Sequence, residues 1–246
     1  MFKKLFLVSL AVAFSAVAAV AGWVSSDTRY LSPVAPILCS GSSSSTIRIV
    51  VVGDSWASAR KIDAGLSSAF PVPVRICSVG FSGFNTKKIA DALLVSDPRL
   101  DRLEKAVGGR ADYAVILAGV NDIVGHYGPE FYAFHAAQIR DRLSDISEHV
   151  AILELPYVNT NAPSSHTFGD LEHWLYRWLF DAGVIDPTDA YRAALSSRVA
   201  SAGLIPSPIL TRDMFRDDVH LKESEYRNLG SFIGAGLTQL FVPDVD

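Results

Sequence analysis

The stretch Ile47-Arg48-Ile49-Val50-Val51-Val52-Gly53-Asp54-Ser55, followed at once by Trp56, decides how this chain folds. Its first half is almost wholly β-branched and apolar, the composition of a strand buried on both faces of a parallel sheet. Gly53, Asp54 and Ser55 break that strand. Trp56 to Phe70 then reads as a helix, because Ile62, Leu66 and Phe70 recur every fourth position on one face. A serine at the carboxyl end of a buried strand sits where open α/β sheets form their ligand crevice. Backbone N–H groups at a helix start there favour developing negative charge, the setting a serine nucleophile needs.

Working outward, a second strand runs from Val72 to Val79. Pro73 interrupts it and marks it as an edge or late-starting strand. The turn-rich loop Gly80-Phe81-Ser82-Gly83-Phe84-Asn85-Thr86 leads into a helix marked by Ile89, Leu93 and Leu94. Pro98 interrupts that helix, and Leu100, Leu103 and Val107 continue its apolar face. A third strand, Tyr113 to Leu117, ends in Ala118-Gly119-Val120-Asn121-Asp122. Glu130 to Ser147 reads as a helix with Phe131, Phe134, Ile139, Leu143 and Ile146 inward, and a fourth strand, Val150 to Leu155, stops at Pro156. The long region from Tyr157 to Ala202 carries a polar loop, a helix with Leu171, Trp174, Leu175, Trp178 and Leu179, and a second helix after Pro187. A short fifth strand, Pro208 to Leu210, precedes Asp217-Asp218-Val219-His220, and a final helix spans Lys222 to Phe241. Strands alternating with helices predict an α/β architecture, a central parallel sheet of about five strands covered on both faces.

With 49% hydrophobic and 20% charged residues, the 246-residue chain fits one ordinary globular domain, placed at 46–246, behind an export segment. Residues 1–21 read as a secretory signal: Lys3 and Lys4 form the positive start, Leu5 to Val20 the apolar run, and Ala19-Val20-Ala21 a small-x-small cleavage site. A retained membrane anchor is the alternative, since the apolar stretch nearly reaches the roughly 20 residues that span a bilayer. Either way the domain is expected outside the cytoplasm, periplasmic or secreted. Residues 22–45, Ser-rich from Gly41 to Ser45, read as an arm or linker. A net charge of −4 without a Lys/Arg cluster beyond Lys3-Lys4 and Lys87-Lys88 argues against nucleic acid as a partner. Cys39 and Cys77 suit an oxidising compartment, either bridged, pinning the amino-terminal arm to the sheet, or as two separate thiols.

Loops that follow predicted strands should open on one end of the sheet. They contribute Ser55, then Gly83 with Asn121, then Asp217 with His220. Acyl transfer from an ester needs a hydroxyl activated by a base, because free serine is a weak nucleophile at neutral pH. His220 can take that proton and return it to the leaving alcohol. Asp217, three positions earlier, can orient the imidazole and stabilise its charged form. Asp218 is the rival orienter, disfavoured because it lies closer to His220 along the chain. The Ser55 N–H, the Gly83 N–H and the Asn121 side-chain amide are the natural donors to a tetrahedral oxyanion.

Gly53-Asp54-Ser55, the Gly83 loop, Gly119-Val120-Asn121-Asp122 and Asp217-Asp218-Val219-His220 resemble, in order, the four blocks of the SGNH (GDSL-type) hydrolase superfamily. The resemblance implies a flavodoxin-like α/β/α sandwich. It implies Ser55 as nucleophile, Asp217 and His220 as acid and base, and Ser55, Gly83 and Asn121 as the oxyanion hole, with neither cofactor nor metal. Trp56 departs from the family, where many members have Leu or Ile. The Gly80 to Thr86 loop is similar to the second block of isoamyl-acetate-hydrolysing esterases, with Gly80 a second candidate for the oxyanion glycine. The expected substrate is a short-chain, most plausibly acetyl, ester of a carbohydrate or small alcohol. The same machinery could transfer acetyl groups to a polysaccharide, act on lipid esters, or survive as a glycan-binding module.

Single residues also carry plainer readings. Gly-Asp-Ser, Asn-Asp and Asp-x-x-His are each ordinary turn or cap sequences when alone. Asp54 and Asp122 read as loop-bracing hydrogen-bonders. His126, with Tyr127, Trp56, Phe81 and Phe84 are candidates to line the crevice, whereas Trp174 and Trp178, a turn apart, read as core or, from their place in the long segment after the fourth strand, as a substrate platform. His135, His149, His166 and His173 show no metal-ligand spacing.

Overall fold

The computed structural model describes residues 35–94, 99–156, 187–199, 203–217 and 219–241. The expected leader, most of the arm, Asp218, His166, His173 and the helix carrying Trp174 and Trp178 lie outside those residues. In order, the elements are β1 (Leu38–Ser40), β2 (Ile47–Gly53), α1 (Asp63–Ser68), β3 (Val74–Gly80), α2 (Thr86–Leu94), α3 (Arg99–Val107) and β4 (Ala111–Leu117). They continue with α4 (Val120–Val124), α5 (Pro129–Leu143), β5 (Ser147–Leu153), α6 (Thr188–Arg198), β6 (Leu204–Ile205) and α7 (Glu223–Phe241).

The described strands form one sheet in the order β1-β3-β2-β4-β5-β6. All neighbours pair in parallel except β1, which runs antiparallel to β3. From β3 to β6 this is a flavodoxin-like order, in which the chain steps left once from β2 and then returns to build rightward. Right-handed crossovers therefore put α1 and α7 on one face and α2, α5 and α6 on the other, a three-layer α/β/α sandwich. Ile49 to Val52 and Ala114 to Ile116 are completely buried, as strands covered on both sides must be. Among the described residues no helix is long and apolar enough to cross a membrane.

Several elements depart from their sequence-based expectation. The sheet gains a sixth strand inside the stretch expected to be a linker, because β1 pairs with β3 and a Cys39–Cys77 disulfide joins residues directly opposite in the register. A three-residue strand is too short to show periodicity. β3 does start late, at Val74 just after Pro73, yet β1 covers it, so it is not the edge. The fifth parallel strand is Leu204–Ile205, not Pro208 to Leu210. Leu204 and Ile205 pair with Ile152 and Leu153, whereas Pro208 has no N–H to give a ladder. Phe134, expected inward, is 46% exposed. The helix expected from Trp56 is regular only from Asp63, because Ala59 and Arg60 take left-handed φ of 58° and 56°.

The faces of α1 and α7 meet at glycines. A Cβ on Gly65 would lie 1.8 Å from the Arg227 carbonyl oxygen, and one on Gly230 would lie 2.2 Å from that of Ile62. The two backbones are therefore in direct contact. Since α1 follows Ser55 and α7 follows His220, this crossing sets two sequence-distant loops side by side.

Candidate active site

Ser55 leaves β2 at the carboxyl end of the sheet, between β3 on one side and β4 on the other, the switch point of the topology. It does not open a regular helix, so the helix-dipole argument does not apply to it. Its loop is shaped by Asp54 instead, whose Oδ1 accepts the Trp56 N–H at 3.0 Å. Opposite, residues 211–217 and 219–222 form a tight strap. The Phe215–Leu221 bridge and the Arg216 N–H to His220 carbonyl bond of 2.7 Å close it. Within it, Asp217 Oδ1 accepts the N–H groups of Val219 at 3.1 Å and His220 at 2.8 Å.

The strap delivers His220 to Ser55. His220 Nε2 lies 3.1 Å from Ser55 Oγ, across 165 residues of chain, and His220 Nδ1 lies 2.9 and 3.0 Å from the two Asp217 oxygens. With Nδ1 protonated and held by the carboxylate, Nε2 is the free base that faces the hydroxyl. Burial pushes the Asp217 carboxyl upward, but the Val219 and His220 N–H groups, the His220 ring and Arg216 outweigh it and hold Asp217 down to about 2. The carboxylate thus stays charged wherever the imidazole could act.

Two buried carboxylates lace the three loops together. Asp54 takes the N–H of Trp56 and is also hydrogen-bonded to the backbone N–H groups of Gly119 and Val120, tying the Ser55 loop to the turn after β4. Asp122, in that turn, accepts the Thr86 N–H at 2.9 Å and hydroxyl at 2.7 Å, tying it in turn to the loop after β3. Both therefore act as braces. Gly119 and Gly83 take φ of 122° and 79°, a region glycine enters without strain, so each loop reverses sharply just beside its site residue. Asn121 donates one amide hydrogen to the Phe84 carbonyl at 3.0 Å, which fixes the side chain and leaves its second hydrogen available. Gly83 has open space around its Cα, while Gly80 is packed on Ser58 and paired with Gly53 inside the sheet. Gly83 is thus the better placed of the two glycines.

The four candidate lining residues divide. Phe84 is half-buried and stacks on Phe81, with ring centres 5.6 Å apart, and His126 is half-buried in a left-handed turn. Phe81 and Trp56 are only 3% and 2% exposed and belong to the packed interior around the site. Hydrophobic burial competes with exposure for any aromatic placed by a strand end, and nothing in the local sequence distinguishes the outcomes. Tyr191, on α6, carries no sequence signal of a role at this site. Its hydroxyl donates to the Asp122 carbonyl at 3.3 Å and accepts the Gly128 N–H at 2.9 Å, propping the turn after β4. Among the described residues no cluster of three potential metal ligands exists.

Burial raises the Asp54 carboxyl to about 7, opposed by its N–H donors and reinforced by nearby Asp122, itself raised by burial to about 6. A carboxyl whose folded pKa exceeds its unfolded one holds its proton more tightly when folded. Stability is therefore unaffected below about pH 4 and falls as pH rises towards 7. Asp54→Asn keeps the acceptor for the Trp56 N–H and should flatten that decline, worth at most a few kcal/mol for a shift of this size. Urea midpoints of both proteins at pH 4 to 8 would check it; parallel profiles would show that Asp54 does not titrate in this window.

No protein-family model matches the chain, and no curated protein sequence matches it. Solved structures do. An acetylxylan esterase, Axe2 from Geobacillus stearothermophilus, is similar at a TM-score of 0.51 and 12% identity, over 80% of this chain and 94% of that one. TesA is similar at a TM-score of 0.55 and 17% identity, over 78% of this chain and 99% of that one. At such identities the likeness establishes a shared fold, the α/β/α sandwich implied by the four sequence blocks.

Proposed function

We propose that this chain is a serine esterase of the SGNH hydrolase type that works through an acyl-serine intermediate. The observation that carries the reading is the hydrogen-bonded chain Ser55 Oγ, His220 Nε2, His220 Nδ1, Asp217, standing at the switch point of the sheet. In the proposed reaction His220 accepts the Ser55 proton as Oγ attacks the ester carbonyl carbon. The oxyanion so formed is taken by the N–H groups of Ser55 and Gly83 and the second amide hydrogen of Asn121. Loss of one such donor typically costs roughly 3–4 kcal/mol of barrier. The imidazolium, stabilised by charged Asp217, then protonates the departing alcohol. Water, deprotonated by the same imidazole, cleaves the acyl-serine and regenerates the free enzyme. Asp217, His220 and Ser55 need no metal or cofactor for these steps.

The substrate class we propose is a short-chain ester, an acetyl ester first, of a carbohydrate or small alcohol. Its support is the Gly80 to Thr86 loop, similar to that of isoamyl-acetate-hydrolysing esterases, and a fold shared with an acetylxylan esterase. We also place the enzyme outside the cytoplasm, on the strength of the Lys3-Lys4 start, the apolar run after it and a disulfide in the mature domain. One panel tests the function: p-nitrophenyl esters from acetate to palmitate, acetylated xylan, and acetyl donor with an oligosaccharide acceptor. Turnover highest on acetate and release of acetate from xylan are expected. A rate that climbs with chain length would make it a lipid esterase, acetyl transfer to the sugar an acetyltransferase, and glycan binding without turnover would overturn catalysis.

A further inference from the structure

We propose that Trp56 is a positioning residue for His220, acting through the peptide bond from which the imidazole hangs. The inference rests on the esterase reading above and adds to it a tie between nucleophile and base. Trp56 is adjacent to Ser55 and is 2% exposed. Its indole Nε1–H donates to the Val219 carbonyl at 2.8 Å, although Val219 is 163 residues away. That carbonyl belongs to the Val219–His220 peptide, whose N–H donates to Asp217 Oδ1 at 2.8 Å. One planar group is therefore held from both sides, by Trp56 at its oxygen and by Asp217 at its nitrogen. With this peptide held at both ends the His220 Cα has a fixed place, from which the ring reaches its own partners, Asp217 at Nδ1 and Ser55 at Nε2.

The tie closes a small ring: Ser55, the Trp56 indole, the Val219 carbonyl, His220, and back to Ser55 Oγ at 3.1 Å. The indole itself is clamped. Its backbone N–H is bonded to Asp54, and its ring meets Tyr226 of α7 edge-on, with centres 6.1 Å apart at 86°. Lys61 completes the clamp, donating from Nζ to the Ser55 carbonyl at 3.2 Å while lying 4.7 Å from the centre of the Tyr226 ring. An aliphatic side chain at position 56 could fill the volume but could not hold the carbonyl. The Val219 oxygen would then need another donor, and the strap carrying His220 would be free to shift. Proton transfer requires close approach, and a displacement of about 1 Å at a catalytic group can cost up to a hundredfold in rate.

The test removes the N–H and leaves the ring. Trp56→Phe keeps an aromatic core residue, and incorporation of benzothienylalanine at position 56, which replaces the indole N–H by sulfur, keeps the full bicyclic shape. Rates on p-nitrophenyl acetate would be expressed per active site titrated with a fluorophosphonate, so that any misfolded fraction drops out. For both changes kcat is expected to fall about tenfold while KM stays within twofold. Lower Tm with kcat per titrated site unchanged would mean a packing role only, and would overturn the proposal. The benzothienylalanine protein decides the matter if Trp56→Phe does not fold. Should the unaltered protein neither turn over esters nor label at Ser55, the esterase reading itself would fail. A labelled, active enzyme indifferent to the isostere would remove the positioning role alone.

Discussion

Ser55→Ala is expected to abolish fluorophosphonate labelling and to lower kcat/KM for p-nitrophenyl acetate by a factor on the order of 10⁴ to 10⁶. Removing the nucleophile leaves only binding and oxyanion stabilisation to lower the barrier. His220→Ala should fall in the same range, because the 3.1 Å contact with Oγ is the only route for the serine proton that the site geometry offers among the described residues. The double variant should be no worse than either single one, since the two side chains act as a unit. Asp217→Asn should lose less, about 10² to 10⁴. It removes the charge that stabilises imidazolium and can favour the wrong tautomer, while an amide oxygen can still accept from the backbone N–H groups of Val219 and His220. Stopped assays of the four variants would check the order. Labelling that survives in Ser55→Ala would remove Ser55 from the mechanism.

The second large effect lies in stability. Replacing the bridged cysteines, as Cys39→Ser with Cys77→Ser, is expected to cost about 3–4 kcal/mol, the chain-entropy value for a closed loop of this length. The bridge spans 38 residues and fastens β1, which has only three residues of its own, to β3. The consequence reaches the site. The Cys39 carbonyl accepts from the Arg60 guanidinium at 2.8 Å, and the Ser40 hydroxyl donates to Asp63 at 2.7 Å. Arg60 and Ala59 hold the left-handed turn that follows Ser55. Freeing β1 should therefore lower the urea midpoint and also reduce kcat, as the turn that carries Lys61 towards the Ser55 carbonyl relaxes. Treatment of the unaltered protein with a thiol reductant should reproduce the shift. An unchanged midpoint in both experiments would show that strand pairing alone holds β1.

Asp217 adds a smaller pH effect. Its carboxyl is depressed when folded, so its contribution is present above the unfolded value near 4 and fades as pH falls towards 2. With its side chain 44% exposed, solvent screening keeps that contribution small.

The order of the elements was legible because each parallel strand is a short β-branched run followed by a helix of clear period. Ile49 to Val52 could hardly be anything other than a buried strand. The approach of Ser55 and His220 was also legible, because loops at the carboxyl ends of parallel strands open on one side of the sheet. Elements whose identity depends on a distant partner were not. β1 exists because Cys39 and β3 hold it, and three residues carry no pattern of their own. Leu204–Ile205 is a strand because β5 offers an open edge beside it. The regular helix after Ser55 is delayed to Asp63 because the neighbouring strand, the Asp54 carboxylate and the buried indole pull the chain into a turn first.

By itself, then, the sequence determined the α/β alternation, the end of the sheet on which chemistry would sit and the residue types available there, since these follow from local composition and periodicity. Only the tertiary structure decided which side chains face the crevice and which hold it together. Trp56 and Phe81 read alike with Phe84 along the chain, yet two are buried and one is not. The 3.1 Å between Ser55 and His220 is set by the glycine contact of α1 with α7 and by an indole reaching a carbonyl far along the chain. Distances between groups so far apart in sequence are fixed by packing, and no local pattern encodes them.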